Sequence, residues 1–260
     1  MDRMMTRKIA AGALALSLLA GGGVLAGCGS SSSSSATAAQ TAANPPDMPA
    51  NGIEALPAKE ILAKSMTAAK AASSVTVKGT IAEEGEVGVS LDLVLGTDAS
   101  KGTMSLNGFS MEIRVTGGKT YYKIDPEGVA AVLGPGEASA VIGDKWILVS
   151  PEDGDDPAGL SDFADKDALL TSLLASEGTA TVKGTGDVNG TPVVFVEVKG
   201  SDGNATLAIQ TVGEPYPVQL TNGGSKGAIT FSNWNAPVSV TAPAGAVRPD
   251  ELTGKGGASG

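Results

Sequence analysis

Apolar and polar residues change their spacing several times along the chain, and each change marks an element. From residue 9 to residue 26 apolar residues run almost unbroken behind Arg3, Arg7 and Lys8. Residues 56–72 carry Ile61, Leu62, Ser65, Met66, Ala69 and Ala72 on one stripe at 3.6 spacing, with Lys59, Lys64 and Lys70 largely off it. This predicts an amphipathic helix with Pro57 in its first turn and Glu60 set against Lys64. From residue 75 the period drops to two. Val75, Val77 and Ile81 alternate with polar residues, and Val87, Val89, Leu91, Leu93 and Leu95 hold successive odd positions. Met104 and Leu106 continue the pattern, and Phe109, Met111, Ile113 and Val115 alternate with Ser110, Glu112, Arg114 and Thr116. One apolar and one wet face is the signature of antiparallel strands. Further strands are expected at 119–125 and 145–149. Residues 151–159 read as loop, followed by a second helix within 160–176 on Phe163, Leu170, Leu173 and Leu174, with Gly178 as its stop. Strands resume at 180–184, 192–198, 205–210, 217–221, 228–232 and 238–241. Asn107-Gly108, Gly117-Gly118, Asn189-Gly190, Asp202-Gly203 and Asn222-Gly223 supply turns.

Helix, strands, helix, strands, without βα alternation, predicts one α+β domain over residues 53–247 rather than a doubly wound parallel sheet. Residues 248–260 read as a flexible tail. With 42% hydrophobic residues but only four Phe, two Trp and three Tyr, the core must be built from aliphatic residues and Met.

Composition removes several chemistries. The chain has no His and one Cys, which excludes a Ser-His-Asp triad, a His metal cluster, a zinc finger and an internal disulfide. A formal charge of −10 argues against nucleic acid as a partner. An enzyme is not expected, because an active site would rest on carboxylates and no pair has a compelling spacing.

The single Cys gives the amino terminus its meaning. The basic start and apolar run read either as a retained membrane span or as a secretion signal. Leu25-Ala26-Gly27-Cys28 decides for the signal: it resembles the bacterial lipobox, in which the Cys thiol is alkylated by a diacylglycerol and the signal is cut before it. Residues 1–27 are then the signal peptide and Cys28 the lipidation site, with palmitate among its expected acyl groups. Two or three acyl chains anchor a protein stably, at about 0.8 kcal/mol per buried CH₂. Residues 28–52, with serine throughout 30–35 and then Pro45, Pro46 and Pro49, read as a flexible tether. Loss of Arg3, Arg7, Lys8 and Asp2 leaves the mature chain more acidic, so headgroup attraction would not hold the domain down. The expected location is the extracytoplasmic face of the cell membrane.

With these elements in place the chain resembles the LppX/LprAFG lipoproteins of actinobacterial envelopes, which are akin to the LolA/LolB lipoprotein carriers. The resemblance lies in Leu62-Ala-Lys-Ser-Met-Thr-Ala-Ala-Lys, Val75-Thr-Val-Lys-Gly-Thr and Gly96-Thr-Asp-Ala-Ser-Lys-Gly-Thr-Met. It continues in Gly117-Gly-Lys-Thr-Tyr-Tyr-Lys-Ile, Lys145-Trp146 and the segment from Ile229-Thr-Phe-Ser-Asn-Trp-Asn to Ala-Pro243. It implies a curved antiparallel sheet, a half-barrel, with helices on its concave face and a hydrophobic cavity for the acyl chains of a lipid or glycolipid. No cofactor is expected.

The candidate cavity residues are Val89, Leu91, Leu93, Met104, Leu106, Met111, Ile113 and Val115, which form either a packed core or a lipid-facing wall. A lipid wall needs no catalytic group, only removal of methylenes from water, and Met adapts to chains of varied length. Glu152, Asp153, Asp155, Asp156, Asp162, Asp165 and Asp167 suggest calcium, but they lack EF-hand spacing and read better as a solvated loop beside a helix start. Tyr121, Tyr122 and Trp146 read as core and rim rather than a sugar site. The functional expectation is a membrane-anchored lipid carrier, with an envelope transporter as a candidate partner. The alternative is a structural or sensory lipoprotein with a filled core that binds a protein or cell-wall partner.

Overall fold

Pro57, whose ring fixes φ, immediately precedes helix α1 (Ala58–Ala71), and Ala72 ends the helix by turning extended. The stripe expected from the 3.6 spacing is the buried one: Ile61, Ser65 and Ala69 face inward. The computed structural model describes residues 48–82, 88–106, 109–125, 128, 142, 145–149, 161–175, 178–200, 203–223, 226–248 and 251. The expected signal peptide, Cys28, the tether as far as residue 47, the Asn107-Gly108 turn, the acidic loop 151–159 and the tail from residue 252 lie outside these residues.

The period-two segments form strands β1 (Ser74–Ala82), β2 (Val89–Gly96), β3 (Ser100–Leu106), β4 (Phe109–Thr116), β5 (Lys119–Ile124) and β6 (Ile147–Val149). After the helices come β7 (Thr179–Val188), β8 (Thr191–Gly200), β9 (Gly203–Gln210), β10 (Pro217–Asn222) and β11 (Lys226–Ser232). All pair antiparallel in one curved, open 11-stranded sheet of order β6-β5-β4-β3-β2-β1-β11-β10-β9-β8-β7. Two meanders are therefore joined by the β1–β11 pair at the centre. Two-residue turns set the register where φ is positive at both positions, as at Gly117-Gly118 and Asn189-Gly190.

The connection from β6 to β7 links the two edges of the sheet, and it contains the second helical region. One helix is expected there, and the described residues contain two, α2 (Ser161–Ala164) and α3 (Lys166–Leu174). The break has a local cause. Asp165 adopts an extended conformation and its side chain accepts from the Ala168 amide, which makes it the N-cap of α3. Helix α1 packs beside α3 and against β7, β8 and β10, while α2 packs on β4. Sheet and helices share one apolar core, so the helices lie on a single face, as the resemblance implies.

The segment 238–241 is expected as a strand and is not one. Its alternating Val238 and Val240 read as strand pattern, but its carbonyls are taken by side chains instead of a ladder. Lys101 Nζ donates to Ser239 O at 3.1 Å and Thr116 Oγ1 to Val240 O at 3.2 Å. The chain crosses the outer face as a strap, then pairs Val247 in parallel with Ile147 at the β6 edge.

Candidate functional site

The register places the apolar alternation in rows across the inner face. One row runs Val182, Val196, Leu207, Leu220, Ile229, Gly79, Leu91, Met104, Met111, Ile124 and touches every strand except β6. The next runs Phe231, Val77, Leu93, Gly102, Ile113, Tyr122, Ile147. A third, towards the Gly117-Gly118 end, runs Val75, Leu95, Ser100, Val115, Thr120, Val149. The first two rows are aliphatic, aromatic or glycine, and the third mixes in hydroxyls.

Two glycines interrupt the rows for a backbone reason. Gly79 and Gly102 have φ of +147° and +152°, and a Cβ there would stand 1.9 Å from the Ala228 carbonyl oxygen and 2.1 Å from that of Asp92. Side chains are excluded at both positions because the neighbouring backbone comes too close.

The structure brings most of the expected cavity residues together. Leu91, Leu93, Met104, Met111 and Ile113 are buried members of one cluster, and Val89 and Val115 pack partly buried against it. Met104 and Met111 are directly opposed across β3 and β4. Leu106 pairs with Phe109 through its backbone. Leu93 and Ile113 are each 1% exposed and share the cluster with Tyr122 and Leu170. Cys28 lies outside the described residues.

The same face extends over the second meander, where Val194, Val196, Leu207, Ile209, Leu220 and Ile229 are as buried as the β2–β4 set. Sequence reasoning left these out of the site, although their alternation is equally regular and was the available signal. It also missed Lys166, 5% exposed, whose ammonium donates to the Lys70 carbonyl in the last turn of α1 and pairs with Asp167. On α1, the buried Ser65 hydroxyl has no partner among the described residues.

The three aromatic residues divide between the faces. Tyr122 is core. Tyr121 is 7% exposed on the outer face, and Trp146 lies under the Arg114 guanidinium at 4.4 Å. Arg114 also holds Glu112 through its Nε and Nη2. Between this group and the strap lies an outer groove of about 570 Å³ lined by charged and hydroxyl side chains, Asp92, Lys101 and Thr103 among them. Among the described residues no three acidic side chains converge as metal ligands.

Neither a protein-family model nor a curated protein matches the chain. Among solved structures it is similar to LprF from Mycobacterium bovis, at 20% identity over 76% of this chain and 100% of that one, with a TM-score of 0.49. It is similar to the lipoprotein LppX from Mycobacterium tuberculosis, at 20% identity over 70% and 99%, with a TM-score of 0.44. An uncharacterized conserved protein from Thermus thermophilus aligns at 10% identity over 74% and 98%, with a TM-score of 0.38.

Proposed function

We propose that this chain is an envelope lipoprotein, anchored through Cys28 at the extracytoplasmic face of the membrane, that binds the acyl chains of a lipid or glycolipid between its sheet and helices. The observation that supports this best is the mismatch between the apolar face and its helical cover. At a strand spacing of about 4.8 Å the longest row measures ~43 Å along the sheet. Among the described residues, helices α1 and α3, side by side at about 10 Å each, roof roughly 20 Å of it, and the single turn of α2 adds cover over β4. A face wider than its roof suits an interior that widens around an aliphatic guest. Such a guest needs only apolar walls, which Val89, Leu91, Leu93, Met104, Leu106, Met111, Ile113 and Val115 offer, and the unpartnered Ser65 hydroxyl is available to an ester oxygen. Uptake moves α1 and α3 away from the strands, because Leu91, Leu93, Met104, Met111 and Ile113 are already buried beneath them.

A second reading is favoured by the near-zero exposure of Leu93, Leu95, Ile113 and Tyr122. On that reading the core is filled and the protein is a structural or sensory lipoprotein that works through its outer surface.

Purification of the full-length chain from membranes in mild detergent, followed by native mass spectrometry and lipid extraction, separates the two. The carrier reading expects a stoichiometric lipid mass beyond the Cys28 anchor. It expects Met104→Trp to lower that lipid several-fold in a protein that still folds, at a cost of about 1–3 kcal/mol for the added bulk. No added lipid, together with loss of folding in Met104→Trp, supports the filled core and defeats the carrier.

A further inference from the structure

Residues 48–51 lie against the connection between β9 and β10 and are fixed to it. The Asn51 amide donates to Thr211 O at 2.9 Å, and its side-chain Nδ2 donates to Gln210 O at 3.1 Å and to Gly213 O at 3.0 Å. Ala50 bridges Val212, and the Gly213 amide donates to Pro49 O at 3.0 Å. Met48 lies over Gly213, where an added Cβ would stand 2.8 Å from its Sδ. Among the described residues Met48 is one of two large apolar side chains open to solvent, at 38% exposure, and Val182 on β7 is the other. Tyr216 ends the connection and stacks on Trp234, with ring centroids 4.6 Å apart. Trp234 Nε1 donates to Pro217 O at 3.3 Å, and Asn235 Nδ2 donates to the Tyr216 hydroxyl at 2.8 Å. Val212, Pro215, Tyr216 and Trp234 are half-buried, and Glu214 is the one charged side chain of residues 211–216.

We propose that this corner seats itself on the bilayer interface to which Cys28 is anchored. The inference rests on the Cys28 anchor of the proposed function and adds the surface that meets the lipid. Twenty residues separate Cys28 from Met48, a contour of at most about 70 Å. The anchor therefore joins the domain at this corner and holds it beside the bilayer at high effective concentration, where a weak contact is enough to seat it. The side chains suit that medium. Met48, Val212 and Pro215 offer apolar surface without charge, and a Tyr-Trp pair with an apolar body and polar tips suits the headgroup boundary. The Tyr216 hydroxyl, which accepts from Asn235, keeps its own proton for a lipid ester oxygen. Attraction to anionic headgroups plays no part, because the chain has a formal charge of −10 and none of residues 48–51, 211–216 and 233–236 is Lys or Arg. The contact is apolar and aromatic, so salt does not reverse it.

The test uses the chain purified from membranes and reconstituted into phosphatidylcholine vesicles, with Trp146→Phe so that Trp234 is the sole tryptophan. A parallel preparation uses phosphatidylcholine brominated close to the glycerol, which quenches nearby indoles, and vesicle flotation reports the anchor separately. The protein should float, and its Trp234 emission should fall about twofold in the brominated vesicles at low and high salt alike, as for an indole at headgroup level. Met48→Glu should remove most of that quenching, because a carboxylate does not enter the apolar boundary, with flotation and melting temperature unchanged. Val182→Glu, at the other exposed apolar side chain, should leave the quenching as it was. Protein that does not float defeats the anchor and the docking with it. Protein that floats without quenching defeats the docking alone and leaves the anchor standing. Quenching that survives Met48→Glu, vanishes in high salt or falls equally in Val182→Glu also overturns the proposal. So does concentration-dependent dimerisation in detergent that Met48→Glu abolishes, which would assign the corner to a second copy of the chain.

Discussion

Gly102 stands in β3 with φ +152°, and an added Cβ would lie 2.1 Å from the backbone oxygen of Asp92. Gly117 also has positive φ, +60°, but its Cβ would meet open space. The contrast gives a paired expectation. Gly102→Ala should cost about 3 kcal/mol, combining backbone strain with a clash that neither strand escapes easily. Gly117→Asn should cost less than about 0.5 kcal/mol, because Asn tolerates the left-handed region. Urea midpoints at constant slope measure both. Equal costs would mean that the approach of β2 to β3 is not what reserves position 102 for glycine. The turn role of Gly117 is legible in the sequence, since a Gly-Gly pair between two alternating runs is a hairpin signal. The role of Gly102 is not. A glycine inside a strand pattern reads only as a weak spot, and the clash that explains it comes from a residue ten positions earlier.

At the scale of elements, the least expected feature is the buried Lys166 on α3. Its ammonium donates at 3.0 Å to the Lys70 carbonyl, in the last turn of α1, where the backbone lacks an internal partner and carries partial negative charge. One side chain therefore ties two helices together and caps one of them. Lys166→Met keeps the aliphatic volume and removes the donor, so it should destabilise by about 2 kcal/mol, the range for a hydrogen bond to a charged group. Asp167→Asn, whose side chain is 58% exposed, should change stability by less than about 0.5 kcal/mol. Thermal denaturation of both variants decides this. The helical stripe of α1 was readable because Ile61, Ser65 and Ala69 repeat at 3.6 spacing. The α2–α3 break was harder to see, because Asp165 interrupts a run whose apolar residues lie on both sides of it. The cap shows only once its side chain is seen to accept from the Ala168 amide.

At the scale of the whole sheet, the two edges are protected by different means. The β6 edge is three residues long and is closed by Val247, whose amide donates to Trp146 O at 2.9 Å and whose carbonyl accepts from Leu148 N at 2.8 Å. The β7 edge is ten residues long. It carries Lys183 at a register shift between Val182 and Gly184, and a bulge with a charge discourages further pairing. Removal of residues 237–260 should therefore loosen one edge only. Hydrogen exchange should accelerate at β5 and β6 and at the outer-face Tyr121, while β8 and β9 keep their protection. Uniform acceleration would mean that the strap stabilises the entire sheet. Strand faces were legible from period two, because parity alone tells in from out. Strand order was not, because parity does not say which strand is the neighbour. The central seam is the clearest case. Thr230 Oγ1 donates to Lys78 O across 152 positions of chain, so the middle of the sheet is made by its first and last strands. A ribosome that delivers this chain from its amino end releases β1 long before β11. Until then each meander has one raw side and neither can settle against the other. Closure of the central seam is therefore expected to be a late step of folding, which pulse-labelled hydrogen exchange at β1 and β11 would check.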